Sequence, residues 1–341
     1  MVEKLLQEVD KDIIFEKLIA EGGYGKIYEM KYKNKNKNYV AKIIEKHNSQ
    51  EISGEKELTI EINGSNIIKI KKIYENKKFR NNYYDIIIME KADLNDLSSL
   101  KDLKDNKFYL INAPFKEIFG DNILRFFSKQ IIEGLEKLER SEFLHLDIKP
   151  KNILIFDNYI LKLTDFSFLT KIESRKEGEW GSPGYETPEF FEKKFNELSN
   201  DDKKKQDYFA LGAVLYFLKY QEQMLDYQRI NEDNILNSEL VIELIQRKMN
   251  QIKSSALSDV ELNNFLCDLI QYKPKDRPSF ENIYRNKWLN KKTDFKTVTY
   301  RSLINDEGKK LLFELNKNDF LYQHKNEISN KEKNKKFKFR L

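Results

Sequence analysis

From residue 13 to about residue 90 the apolar positions come in short runs dense in β-branched and aromatic residues: IIFEKLIAE, KIYEMKY, NYVAKII, IIKIKKIYE and YYDIIIME. Runs of that length and composition predict strands, and together they predict a small sheet. The stretch from Ser49 to Ile62 breaks the pattern: it is rich in Glu and Lys, has Gly54 as its one glycine, and predicts a lone helix. Beyond Asp93 the period lengthens. Apolar residues recur at Ile123, Phe127, Ile131, Leu135 and Leu138, which predicts an amphipathic helix over Asn122 to Glu139. Phe209 to Tyr220 (FALGAVLYFLKY) is apolar nearly all round and predicts a helix buried at the centre of the second part; its 12 residues are too few to cross a bilayer. The polar run KNKNKN at 33–38 predicts a hairpin loop.

Composition narrows the class. A chain of 341 residues with 40% hydrophobic and 13% aromatic content can bury a real core, which argues against a disordered protein. The net charge of +5 is unevenly placed: residues 290–341 hold 14 Lys and Arg against 7 Asp and Glu, which leaves −2 for the rest. A basic run of this kind favours a solvated tail over a nucleic-acid surface. One cysteine, Cys267, excludes an internal disulfide, and with three scattered His it excludes a zinc cluster. There is no membrane span, since no apolar run reaches 18 residues, and MVEKLLQEVDKD is too acidic for a signal peptide. These features predict a soluble, cytoplasmic protein, with the nucleus left open and the oligomeric state unspecified.

Three places carry candidate chemistry. Ala20-Glu21-Gly22-Gly23-Tyr24-Gly25-Lys26-Ile27 lies between two predicted strands, where glycines let backbone N–H groups approach a polyphosphate; alone, such a run is usually just a turn. Lys42 sits in the apolar strand NYVAKII, where a buried ammonium needs an anionic partner. A phosphate and a carboxylate of the Glu-rich helix would serve, Glu55 first and Glu57 second. The densest block is HLDIKPKNIL, residues 145–154. Asp147 can accept a hydroxyl proton, Lys149 can neutralise a transferring phosphoryl group, and Asn152 can offer an amide oxygen to magnesium. Asp165, after the apolar run Ile160 to Leu163, can bridge metal and phosphates. Each Asp alone reads as a turn or cap, but the set together points to phosphoryl transfer.

On these motifs the chain resembles the eukaryotic protein kinase superfamily from about Phe15 to Leu289. GxGxxG corresponds to Ala20, Gly22 and Gly25, HRDxKxxN to His145 through Asn152, DFG to Asp165-Phe166-Ser167, and the segment ending in APE to Gly181 through Glu189. The resemblance implies an α+β, bilobal kinase-like fold, with a β-rich N-lobe at 13–90, a hinge at 90–92 and a mainly helical C-lobe at 93–289. Residues 1–12 would be an N-terminal extension and 290–341 a basic tail. It also implies Mg2+ and ATP as cofactors and a protein substrate with a Ser or Thr acceptor. Met89 would be the gatekeeper, and the backbone of Glu90 to Ala92 would bind adenine between Ile19, Ile27, Val40 and Leu154, with Asp96 near the ribose. Ser182 would bridge Asp147 and Lys149, Arg277 would pair with Glu189, and Asp207 matches the aspartate of DxxxxG.

Three departures qualify the resemblance. Ala20 replaces the first glycine, Ser167 the DFG glycine, and Leu146 the HRD arginine, which in the family pairs with a phosphorylated activation loop. The last predicts activity that needs no phosphate on Thr170 or Ser174. A pseudokinase scaffold is the main competing reading, and Lys42, Asp147, Asn152 and Asp165 argue against it. A small-molecule kinase would not need the GSPGYETPE run or Arg277.

Overall fold

The computed structural model describes residues 1–23, 25–46, 62, 64–99, 121–156, 160–176, 180–225, 238–255 and 259–291. The expected helix over 49–62, with Glu55 and Glu57, therefore lies outside the described residues except for Ile62, as does the tail beyond 291.

β1 (Ile13–Gly22), β2 (Gly25–Tyr32), β3 (Asn38–Lys46), β4 (Ile70–Phe79) and β5 (Asn82–Glu90) form one antiparallel sheet in the order β1-β2-β3-β5-β4. The period of two along a strand explains why its centre is apolar on both faces. Ile86 and Ile88, with Ala41, Ile43, Tyr28 and Met30, belong to one cluster. Ile87, Met89 and Val40 point the other way, into the large core that runs on into the second lobe. The first cluster needs a cover, and the chain supplies it: α1 (Val2–Val9) lays Leu5 and Leu6 on that face. Asp10, just after the helix, accepts a hydrogen bond from the Tyr74 hydroxyl at 2.9 Å. The segment read as an extension is thus part of the N-lobe core.

The second lobe is built on α2 (Asp121–Arg140) and α4 (Asn200–Tyr220), with the short α3 (Pro188–Phe191) between them in sequence. α5 (Ser238–Ser254) and α6 (Val260–Leu269) follow. α2 buries Phe127, Ile131, Leu135 and Leu138 of the expected stripe, and Leu124 besides; the Ile123 side chain is outside the description. α4 is capped by Ser199, whose hydroxyl accepts from the Asp202 N–H at 3.2 Å, and is buried without interruption from Gln206 to Lys219. That run buries two charged side chains, Asp207 and Lys219, and Lys219 is paired with Asp121 at 2.9 Å. Among the described residues no helix is long and apolar enough to cross a membrane.

β6 (Phe143–Leu144) pairs with β9 (Thr170–Lys171), and β7 (Ile153–Phe156) with β8 (Ile160–Leu163). The N-lobe is tied to β8 from two directions. Asn66 donates its side-chain N–H to the Leu161 carbonyl at 2.9 Å and accepts at its own carbonyl from the Leu163 N–H at 2.9 Å. At the end of β5, the Glu90 carboxylate pairs with Lys162 and accepts the Lys69 backbone N–H at 2.8 Å.

Candidate active site

The loop after β6 is fixed from below by α4. Asp207 accepts the backbone N–H groups of His145 at 2.7 Å and Leu146 at 2.8 Å. These bonds hold Leu146 at φ +60°, a backbone conformation that a branched apolar residue rarely adopts. Burial raises the Asp207 carboxyl above the ordinary range, against the pull of the two N–H groups it accepts. His145 is oriented in turn: its Nδ1 accepts the Asp147 N–H at 3.3 Å, so its Nε2 carries the proton and donates to the Thr164 carbonyl at 3.0 Å. Its ring lies 4.8 Å from that of Phe166, linking the loop to the Asp165 segment.

Asp147 is nearly enclosed by donors. Oδ1 accepts the Ser182 hydroxyl at 2.7 Å, and Oδ2 accepts Lys149 Nζ at 2.9 Å and Asn152 Nδ2 at 2.7 Å. Lys149 Nζ also donates to Ser182 Oγ. The structure therefore brings Asp147, Lys149, Asn152 and Ser182 into one network, the last from 35 residues along the chain.

Opposite stands the second pair. Lys42, buried in β3 and in register with Ile27 and Ile87, reaches Asp165 Oδ1 at 2.9 Å and Ser167 Oγ at 3.1 Å. Asp165 has φ +60°. Burial pushes its carboxyl upward, but Lys42 and the Ser167 hydroxyl together hold it below the ordinary range. Its carboxylate is charged at neutral pH.

The donor atoms present suit magnesium. Asn152 commits its amide nitrogen to the carbonyl and Oδ2 of Asp147, at 2.9 and 2.7 Å, which directs its amide oxygen elsewhere. The hydrogen bonds recorded on the Asp165 carboxylate land on Oδ1. One amide oxygen and one carboxylate oxygen are the hard donors Mg2+ takes, the rest coming from phosphates and water. Among the described residues no three His, Cys, Asp or Glu side chains form a closed metal site.

Of the expected nucleotide residues, Ile27, Val40 and Met89 lie on neighbouring strands of the five-stranded sheet. Val40 is paired with Met89 and Ile27 with Lys42, while Leu154 bridges to Asp96. Ile19, Ala20, Gly22 and Gly23 lie on the exposed outer end of β1 and its turn. Gly25 has φ +122°, and a Cβ there would stand 2.6 Å from the Ile43 carbonyl oxygen, so glycine is required. Ala92 packs against the main core just beyond Glu90. Asp96 Oδ1 caps its own turn, accepting the Ser98 N–H at 2.8 Å.

The segment from Asp165 to Glu189 is held by apolar contacts and buried cations. Leu146 packs with Leu144, Ile172, Trp180 and Phe195. Lys203, inside the first turns of α4, is buried against the Phe195 ring and the Ile172 and Ser174 carbonyls. Thr170 is buried and donates its hydroxyl to the Phe168 carbonyl at 2.9 Å. At the far end Arg277 donates to both oxygens of Glu189, at 2.8 and 3.0 Å, and to the Tyr272 carbonyl at 2.9 Å. Glu186, beside Asp147 in the same pocket, is buried; burial pushes its carboxyl up to about 7 against the pull of nearby backbone N–H groups. Sequence reasoning missed Lys203 and Glu186, because a lysine in a KKK run and a glutamate in a loop both read as solvated.

The profile of the family described as "Protein kinase domain" matches residues 13–289. The chain is 26% identical over 279 residues to serine/threonine-protein kinase PLK2 of Mus musculus, covering 79% of this chain and 36% of that one. It is 26% identical over 292 residues to serine/threonine-protein kinase atg1 of Dictyostelium discoideum, covering 82% and 39%. To the interferon-induced, double-stranded RNA-activated protein kinase of Rattus norvegicus it is 24% identical over 291 residues, covering 80% and 51%. The matched part thus spans about a third to a half of these relatives. With the bilobal architecture and the family match over residues 13–289, the chain belongs to the protein kinase family.

Proposed function

We propose that this chain is an active serine/threonine protein kinase that moves the γ-phosphate of Mg-ATP to Ser or Thr hydroxyls of protein substrates. The carrying observation is the network in which Lys149, Asn152 and Ser182 all donate to Asp147 while Lys42 holds Asp165. A substrate hydroxyl placed at Asp147 would give its proton to that carboxylate as its oxygen bonds to phosphorus and the bond to the ADP oxygen breaks. Lys149 stands on the same carboxylate, where it can neutralise charge on the transferring group. Bound magnesium would neutralise the phosphates, held by Asn152 and Asp165.

Two features favour a protein acceptor with Ser or Thr over a small molecule. Arg277 and Glu189 brace a peptide-docking segment, and Lys149 with Ser182 at the base resembles the Ser/Thr class. The two serine/threonine-protein kinases to which the chain is similar support the same reading. A scaffold without chemistry would have no need of charged groups this closely placed.

The test is incorporation of labelled phosphate from ATP and magnesium into generic substrates and into the chain itself, for wild type, Asp147→Asn and Asp165→Ala. Transfer by wild type and its loss by at least a hundredfold in both variants is expected. Absence of transfer by all three proteins, with nucleotide still bound, would instead support the scaffold.

A further inference from the structure

At the position where the family carries glycine after Asp-Phe, this chain has a hydroxyl, and the structure gives it two partners. Ser167 Oγ donates to Asp165 Oδ1 at 2.6 Å and accepts from Lys42 Nζ at 3.1 Å, while Lys42 Nζ itself reaches the same Oδ1 at 2.9 Å. Three polar groups close a triangle. Ser167 is absent from the residues with positive φ, so its backbone has no need of glycine and its side chain is accommodated without strain. Asp165, by contrast, sits at φ +60°, and its carboxylate depends on side-chain bonds for its orientation.

A carboxylate beside a lone lysine can offer either oxygen to it. A second donor on the same oxygen removes that freedom, because rotation would break both bonds. Both the lysine and the hydroxyl bind Oδ1, and Oδ2 stays outside the triangle. We propose that Ser167 is a positioning residue that divides the Asp165 carboxylate between two tasks, Oδ1 for Lys42 and Oδ2 for the metal ion. The inference rests on the proposed magnesium-nucleotide site. It assigns the departure from glycine a role in metal binding.

The test is a magnesium titration of fluorescent ATP-analogue binding to the full chain, for wild type, Ser167→Ala and Ser167→Thr, beside binding in EDTA and thermal melts in EDTA. With the hydroxyl removed, the magnesium concentration at half-saturation should rise about tenfold, the effect of one hydrogen bond to a charged group. Affinity in EDTA should stay within about twofold, as expected of a residue that acts on the metal alone. Ser167→Thr, which restores the hydroxyl, should return the midpoint to near wild type. If Ser167→Ala does not fold, Ser167→Cys takes its place, with the size kept and a weak donor in place of the strong one. An unchanged midpoint in the variant, with wild type binding normally, overturns this inference and leaves the proposed function standing. Failure of wild type to bind the analogue with magnesium overturns both.

Discussion

Lys203 Nζ, on the first turns of α4, donates to the carbonyl oxygen of Ile172 at 3.2 Å, and at the same distance to that of Ser174. A buried cation from the helix thereby holds this part of the segment from below. With the packing of Leu146 on Ile172, Trp180 and Phe195, it predicts a segment that keeps its place without modification. The double variant Thr170→Ala, Ser174→Ala should keep its phosphate-transfer rate within about twofold, since neither hydroxyl supplies more than one ordinary bond. A tenfold loss would sink the idea. Lys203→Met, which keeps the stem and drops the charge, should lose about 1–3 kcal/mol of stability and speed proteolysis near Ile172.

Arg277 and Glu189 are both buried, so breaking the pair leaves an uncompensated charge in the core. Arg277→Ala should cost about 3–5 kcal/mol in urea unfolding. A matched apolar pair at both positions should recover most of that stability without recovering activity, because the docking segment would lose its brace. Equal destabilisation by the single and double variants would refute this account.

Glu186 predicts a pH dependence of stability. Its carboxyl has an ordinary value of 4.5 and rises to about 7 in the fold, so between those values the folded state holds a proton that the unfolded chain has released. Stability therefore falls as pH rises through that window and levels off above it. Glu186→Gln, a mimic of the protonated form, should gain up to about 3 kcal/mol over wild type at pH 8 and nothing near pH 4. Chemical denaturation at several pH values measures it, and parallel curves for the two proteins would exclude the assignment.

Leu6 is fully buried under the sheet although it precedes the matched domain. Leu6→Ala should cost about 2–5 kcal/mol. Deleting residues 1–12 should lower the melting temperature more than that single substitution does. A truncated chain as stable as the full one would show that α1 only rests on the sheet.

Much of the fold could be read from the sequence because its signals are local. The run Ile86-Ile87-Ile88 marks a strand buried on both faces, and the stripe from Phe127 to Leu138 marks a helix. Asp147, Lys149 and Asn152 were legible for the same reason, lying within six residues in one loop. What escaped is decided by distant partners. Nothing near Leu5 and Leu6 says that a sheet awaits them, and only the fold puts Lys203 beneath Ile172. The Ser167 hydroxyl was visible as a departure from glycine, but one of its two bonds comes from Lys42, 125 residues away.

The double attachment to β8 has a mechanical consequence. Asn66 grips that strand through Leu161 and Leu163, and Glu90 grips it through Lys162 between them. Sliding one lobe past the other would break all of these bonds at once, whereas turning about the line of the strand strains them least. Any motion of the lobes against each other therefore has to be accommodated along Leu161, Lys162 and Leu163.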